Sequence, residues 1–290
     1  MVAGLLAVLI ATDGLPFLDD DGAGAKSASR VPKPEINRFA GRAAYRSVKR
    51  QLALGPRPAG SAPSRQLAER LVRALPGGRL KGVPGHPGLR NVIGTLPGRD
   101  PARVVVLGAH YDTKDIPGFL GANDGASGTA IVARIARTLK PRRLEPTVEF
   151  VLFDGEESPA GTPDSQFAEQ GLRGSKAVAP RYRDAETMIL LDFVGEKGLR
   201  IPREDSSSGE LWGELRAAAR RVGVARVFPR ATQGSILDDH TPFIQQGVPS
   251  IDLIDFDFPC FHRTCDDLSR ISPRSLDAVG ETVIELLRGL

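Results

Sequence analysis

The chain has little cysteine, no excess of one charge and no apolar run of membrane length, and each shortage removes a class of function. Cys260 and Cys265 are its two cysteines. They flank His262, and two thiolates with that imidazole on so few residues would crowd a metal, which excludes a zinc site built on the cysteines themselves. Either they close a short disulfide that stiffens the segment around His262, or they are neighbouring reduced thiols, and the spacing allows both. Lysine and arginine number 39 against 35 aspartate and glutamate, a formal charge of +4. These charges are interspersed and form no basic stripe with interleaved aromatics, so nucleic acid is excluded as a partner. The apolar run at residues 2–11 is half the length of about 20 residues that a spanning helix needs. No Gly-x-Ser-x-Gly occurs, and no Gly-Lys-Ser/Thr follows the glycine-rich segment 121–128. A nucleophile elbow and a phosphate-binding loop are therefore both missing.

What remains has the composition of a globular protein, 41% hydrophobic and 26% charged. A chain of this length buries roughly 75% of the surface exposed on unfolding. Residues 2–11 match the apolar region of a signal peptide, and Ala23-Gly24-Ala25 offers a small-residue cleavage site. No basic segment precedes the run, and Asp19, Asp20 and Asp21 are unusual before such a site. Residues 1–35 are expected to form a signal or anchor-like segment and a linker. The protein is then exported, or anchored on the extracytoplasmic side of a membrane; if the run is not a signal, it stays cytoplasmic. Residues 36–290 are expected to form one catalytic domain without a membrane span, because no repeat and no second composition regime divides them.

Apolar residues recur at helical spacing over 39–52, 64–75, 127–139, 211–222 and 275–287, with Ser127 as a candidate N-cap. Apolar runs at 91–96, 104–108, 147–153, 188–193 and 250–254 read as strands, most of them buried on both faces. This alternation predicts an α/β fold, a single three-layer domain with a mixed, largely parallel sheet and helices on both faces. Ligand sites in such sheets lie at the carboxyl ends of the strands.

Polar residues of one chemical kind stand at those ends. His110 and Asp112 follow VVVLG, Asp124 lies in GANDGASG before a helix, and Glu156 and Glu157 follow FVLFDG. Asp192 closes MILLD, Asp238, Asp239 and His240 precede TPFIQQ, and His262 lies in FPCFHRTCDD. Each has a plainer reading: a structural His-x-Asp pair, a capping Asp, a solvated acidic turn, a surface His. His86, in a Pro/Gly loop, is assigned to the surface. Taken together they supply two imidazoles and several carboxylates, the ligand set of a catalytic zinc site with a carboxylate base beside it. Adjacent acids after a buried strand, as at Glu156 and Glu157, are costly unless something neutralises one of them.

HYDT, GANDGASG, GEE, LLD and the final His-x-Thr resemble the zinc aminopeptidases, the family-28 metallopeptidases, from about residue 40 to the C-terminus. Within that group, ILDDHTPFIQQGVPSIDLIDFDFP followed by His262 is similar to the glutaminyl-peptide cyclotransferases, as is the short path from HYDTK through FLGANDG to FDGEE. The resemblance implies a zinc-exopeptidase-like fold, peptide or protein N-termini as substrate, and zinc held by Asp124, Glu157 and His262 with Glu156 as general acid/base. In the cyclase branch there is one zinc. Asp192 and Asp238 then form an acidic network with Glu156, and N-terminal Gln is converted to pyroglutamate with release of ammonia. In the aminopeptidase branch His110 and Asp192 hold a second zinc, with Asp124 bridging. A non-catalytic binding protein with this fold would need an incomplete metal set or an altered Glu pair, and here every position is filled. The chain departs from the cyclase pattern at Phe261, where a Trp is common, at Asp252 in place of a His and at Leu237 in place of a Gln. No Trp follows the Glu pair, and GANDGASG itself is nearer the aminopeptidase version.

Overall fold

The structure is a computed structural model that describes residues 31–290. The apolar run at 2–11 and the candidate cleavage site at 23–25 lie outside the described residues. Helices α1 (Gly41–Leu52) and α2 (Ala62–Val72) precede strands β1 (Arg79–Val83), β2 (His86–Leu96) and β3 (Asp100–His110). Helix α3 (Ala126–Thr138) leads to β4 (Pro146–Phe153), the short α4 (Phe167–Gln170) and α5 (Arg173–Val178), and β5 (Thr187–Leu191). The two-residue strands β6 (Arg203–Glu204) and β7 (Thr232–Gln233) bracket α6 (Gly209–Arg221). The chain finishes through α7 (Thr241–Gln245), β8 (Ser250–Leu253) and α8 (Pro273–Leu287).

The main sheet has the order β1-β2-β4-β3-β5-β8. β3, β4, β5 and β8 are parallel, while β2 pairs antiparallel with both β1 and β4. Strand alternation sends Val105, Leu107 and Ala109 of β3 to one face and Val106 to the other. Helices α1, α2, α3, α6 and α8 cover the first face. Helix α5, a 3-10 turn at 179–182 and α7 cover the second. The result is the expected three-layer α/β domain with a largely parallel sheet. Val31 is already part of the core, and the Glu35 amide donates to the Val222 carbonyl at 3.0 Å. No helix among the described residues is long and apolar enough to cross a membrane.

Two glycines set the centre of the molecule. Gly125 turns the chain into α3 at φ +86°, and a Cβ there would lie 2.6 Å from the Asp112 carbonyl oxygen. Gly128 lets α3 rest on the end of β5, since a Cβ there would lie 2.0 Å from the Leu191 carbonyl oxygen. The loop before α3 and the residue after β5 are thereby brought side by side. Ser127 is not the helix cap: α3 starts at Ala126, and the Ser127 hydroxyl, already inside the helix, donates to the Asn123 carbonyl at 2.7 Å. The β1–β2 hairpin extends well before the strand read at 91–96. Its outer half is solvent-exposed and broken by Gly82, Gly85, Pro87 and Gly88, so no apolar alternation marks it. His86 is exposed as expected but opens β2 rather than sitting in a loop.

Candidate metal centre

The strand ends converge. His110 is the last residue of β3, Glu156 and Glu157 follow β4, Asp192 follows β5, and Asp124 lies in the loop before α3. His262 reaches in from the loop after β8. Ligand-type atoms of Asp124, Glu157 and His262 all lie within 4.8 Å of one another, and so do those of His110, Asp124 and Asp192. Asp124 belongs to both groups. Its Oδ1 is 3.2 Å from His110 Nε2 and its Oδ2 is 3.6 Å from His262 Nε2. His110 Nε2 is also 3.2 Å from Asp192 Oδ1, and His262 Nε2 is 3.1 Å from Glu157 Oε1. Asp124 Oδ2 is buried and has no hydrogen-bond partner. A carboxylate oxygen left bare in the interior is costly unless a cation joins it to its neighbours. Imidazole and carboxylate donors in this grouping suit zinc, so the residues present fit that ion.

Surrounding groups hold these side chains in place. Asp112 accepts the backbone amides of Glu156 at 3.3 Å and Glu157 at 3.2 Å, one on each oxygen. It is farther, 3.6 Å, from His110 Nδ1, so it aligns the Glu pair more than the imidazole. Asp266 accepts the amides of Asn123 and Asp124, and Asn123 Oδ1 accepts the Gly195 amide at 2.7 Å. Arg57 is fully buried and donates to the carbonyls of Gly55, Leu120 and Gly121. Burial lowers its guanidinium to about 10 against the pull of Asp124, Asp266 and Asp112. Cys260 and Cys265 form a disulfide around His262, whose backbone has φ +50°.

The electrostatics separate the Glu pair. Burial and the charge of Glu157 beside it push the Glu156 carboxyl well up. Glu157 is equally buried, yet His262 and Lys114, the latter 3.2 Å from its Oε2, hold it down at about 2. Glu156 Oε2 lies 3.9 Å from His110 Nδ1. Burial pushes Asp192 up to about 7 against the pull of His110. Burial works against a charged His262, but Glu157 and Asp124 outweigh it and raise that imidazole. Behind the site Asp238, Asp239 and Asp252 are buried together, and burial raises all three carboxyls. Neither Asp238 nor Asp239 caps α7 with its side chain. The acids continue to His240, whose Nε2 lies 3.3 Å from Glu204 Oε2. Arg57, Lys114, Asn123 and Glu204 carried no sequence signal. Asp266 was visible only as one acid among several after His262.

The profile of Peptidase family M28 matches residues 91–287. The glutaminyl-peptide cyclotransferase of Bos taurus is 29% identical over 223 residues, covering 63% of this chain and 61% of that protein. An aminopeptidase of Bacillus subtilis is 30% identical over 196 residues, covering 62% of this chain and 39% of that protein. The chain thus spans less than two thirds of the length of these curated relatives. Among solved structures, the glutaminyl cyclase of Porphyromonas gingivalis superposes with a TM-score of 0.76 at 31% identity, covering 87% of this chain and 99% of that one. A Zn-dependent exopeptidase from Parabacteroides distasonis gives 0.76 at 27% identity, covering 90% and 100%. A profile match over most of the chain, on a fold shared with both kinds of enzyme, establishes that this protein belongs to peptidase family M28.

Proposed function

We propose that the protein is a zinc-dependent enzyme of peptide N-termini, and specifically a glutaminyl-peptide cyclotransferase. The observation that carries the enzymatic reading is Glu156, a buried carboxyl with a raised pKa beside the ligand-type group and in front of further buried acids. The choice of the cyclotransferase rests on the acids behind it and on the relatives named below. A carboxyl raised in this way is suited to take up and return a proton during turnover. Bound by Asp124, Glu157 and His262, zinc would supply a Lewis acid for the side-chain amide carbonyl of an N-terminal glutamine. Glu156 takes a proton from the α-amino nitrogen as that nitrogen bonds to the amide carbon. It returns the proton to the departing amide nitrogen, so one C–N bond forms, one breaks, and ammonia leaves. Asp192 and Asp238 fix where protons sit around Glu156. The relatives named as glutaminyl cyclases support this choice, and the Cys260–Cys265 disulfide supports an oxidising, extracytoplasmic compartment.

The second reading is a dinuclear zinc aminopeptidase. The second ligand-type group of His110, Asp124 and Asp192, sharing Asp124 with the first, favours it, as does the aminopeptidase relative. Glu156 would then move the proton of the attacking water. Purified protein offered a Gln-initiated peptide is expected to release ammonia and no free amino acid, with one zinc bound per chain. Release of the first residue with two zinc per chain would install the aminopeptidase reading instead. Inactivity of the zinc-loaded protein in both assays would sink both.

A further inference from the structure

A cleft of about 320 Å³ lies between α1, α2 and α3, and none of its lining residues belongs to the candidate metal centre. Its lining includes five arginines: Arg50 on α1, Arg70 on α2, Arg73 just after it, and Arg134 and Arg137 on α3. Helical spacing explains the convergence. Ala43, Ser47 and Arg50 fall on one stripe of α1, and Ala130, Ala133, Arg134 and Arg137 on one stripe of α3. Small side chains thus leave the hollow and arginines line it. Among the described residues no aspartate or glutamate lines it, and none of the five arginines forms an ion pair. Arg134 spends its Nε on the Phe39 carbonyl at 2.8 Å. On the same lining Gln51 is buried, donates Nε2 to the Ala126 carbonyl at 3.1 Å and leaves Oε1 without a partner.

Arg50, Arg70 and Arg137 each sit in the last turn of a helix, where a cation complements the helix dipole. That accounts for one basic group per helix. It does not account for five guanidinium groups gathered around one concavity that no described acidic residue lines, an arrangement in which like charges repel and an anion is favoured. Guanidinium forks match phosphate oxygens two at a time. The volume lies at the lower end of small-ligand pockets, roughly 300 to 1,000 Å³. A concave space of this size suits a compact polyanion better than a flat membrane or a nucleic-acid backbone. We propose that the cleft is a binding site for a small polyphosphate anion, with the free Gln51 oxygen available to a hydroxyl or amine on its carrier.

Titration calorimetry of the full chain with inorganic triphosphate tests this. Saturable one-to-one binding that weakens as salt rises is expected. The Arg70→Ala/Arg137→Ala double variant should bind roughly a hundredfold more weakly, since each of the two lost charge-assisted bonds costs about tenfold. Both arginines are exposed, so folding and peptide turnover should be unchanged. As a measurement independent of the variant, triphosphate should protect Arg50, Arg73 and Arg137 from phenylglyoxal, read by mass spectrometry. Absence of binding, equal affinity of the double variant, or protection confined to other arginines would each overturn the proposal.

Discussion

Asp266 holds Asp124 by its backbone: one carboxylate oxygen accepts the Asn123 amide at 2.8 Å and the other the Asp124 amide at 3.0 Å. The ligand-type side chain that both groups share is therefore fixed by an acid after the disulfide loop, far away in sequence. The same loop end supplies His262, so the disulfide segment and the glycine-rich turn are locked to each other.

Asp266→Ala should leave every ligand-type residue present and still lower zinc affinity by about 10- to 100-fold, the usual cost of losing an outer support. Competition against a chelator of known affinity measures it. An unchanged affinity would mean that Arg57 and the turn glycines suffice to hold the 121–125 loop.

Glu156→Gln keeps the shape of the side chain and removes its ability to take a proton. Turnover should fall by about 10²- to 10⁴-fold, with bound zinc unchanged by metal analysis. Survival of activity in this variant would remove Glu156 from the role assigned to it.

Reduction and alkylation of Cys260 and Cys265, or Cys260→Ser, should leave the far-UV spectrum intact and weaken zinc binding. His262 occupies the left-handed region, which costs a non-glycine residue about 1–2 kcal/mol, and the ring closed by the disulfide holds it there. If the reduced protein binds zinc as tightly as the oxidised one, the ring does not position His262.

Glu204 gives a pH prediction. Burial alone would raise its carboxyl, but His240 and Ser206 outweigh burial and hold it at about 2 against an ordinary 4.5. Ser207 Oγ and the Ile236 amide also donate to it. A depressed folded-state pKa adds stability that is complete above pH 4.5 and disappears as pH falls through about 2. Urea unfolding across that window should show a loss on the order of 2 kcal/mol that Glu204→Gln does not show. Parallel pH curves for the two proteins would contradict this.

The sequence was legible where local pattern and chemistry coincide. His110, Glu157 and Asp192 each end an apolar run, so one rule about strand ends finds them together. Asp124 was marked by the glycines around it, and their close approaches are what the fold uses. The disulfide is not legible because a separation of 5 residues does not reveal whether two Cβ atoms face each other. Asp266 and Arg57 were illegible because their partners are backbone amides and carbonyls, which any sequence supplies. The outer β1–β2 hairpin is not legible because it buries little beyond Val83 and Leu89, too few residues to leave an alternating pattern.

At Gly128 the distance between Asp124 and Asp192 depends on a methyl group that is not there. Even alanine would press on the Leu191 carbonyl and force α3 off the end of β5. Donor inventories drawn up by residue type alone will therefore overlook one way to disable this protein: a chain can keep every acid and imidazole and lose the centre through a single added carbon.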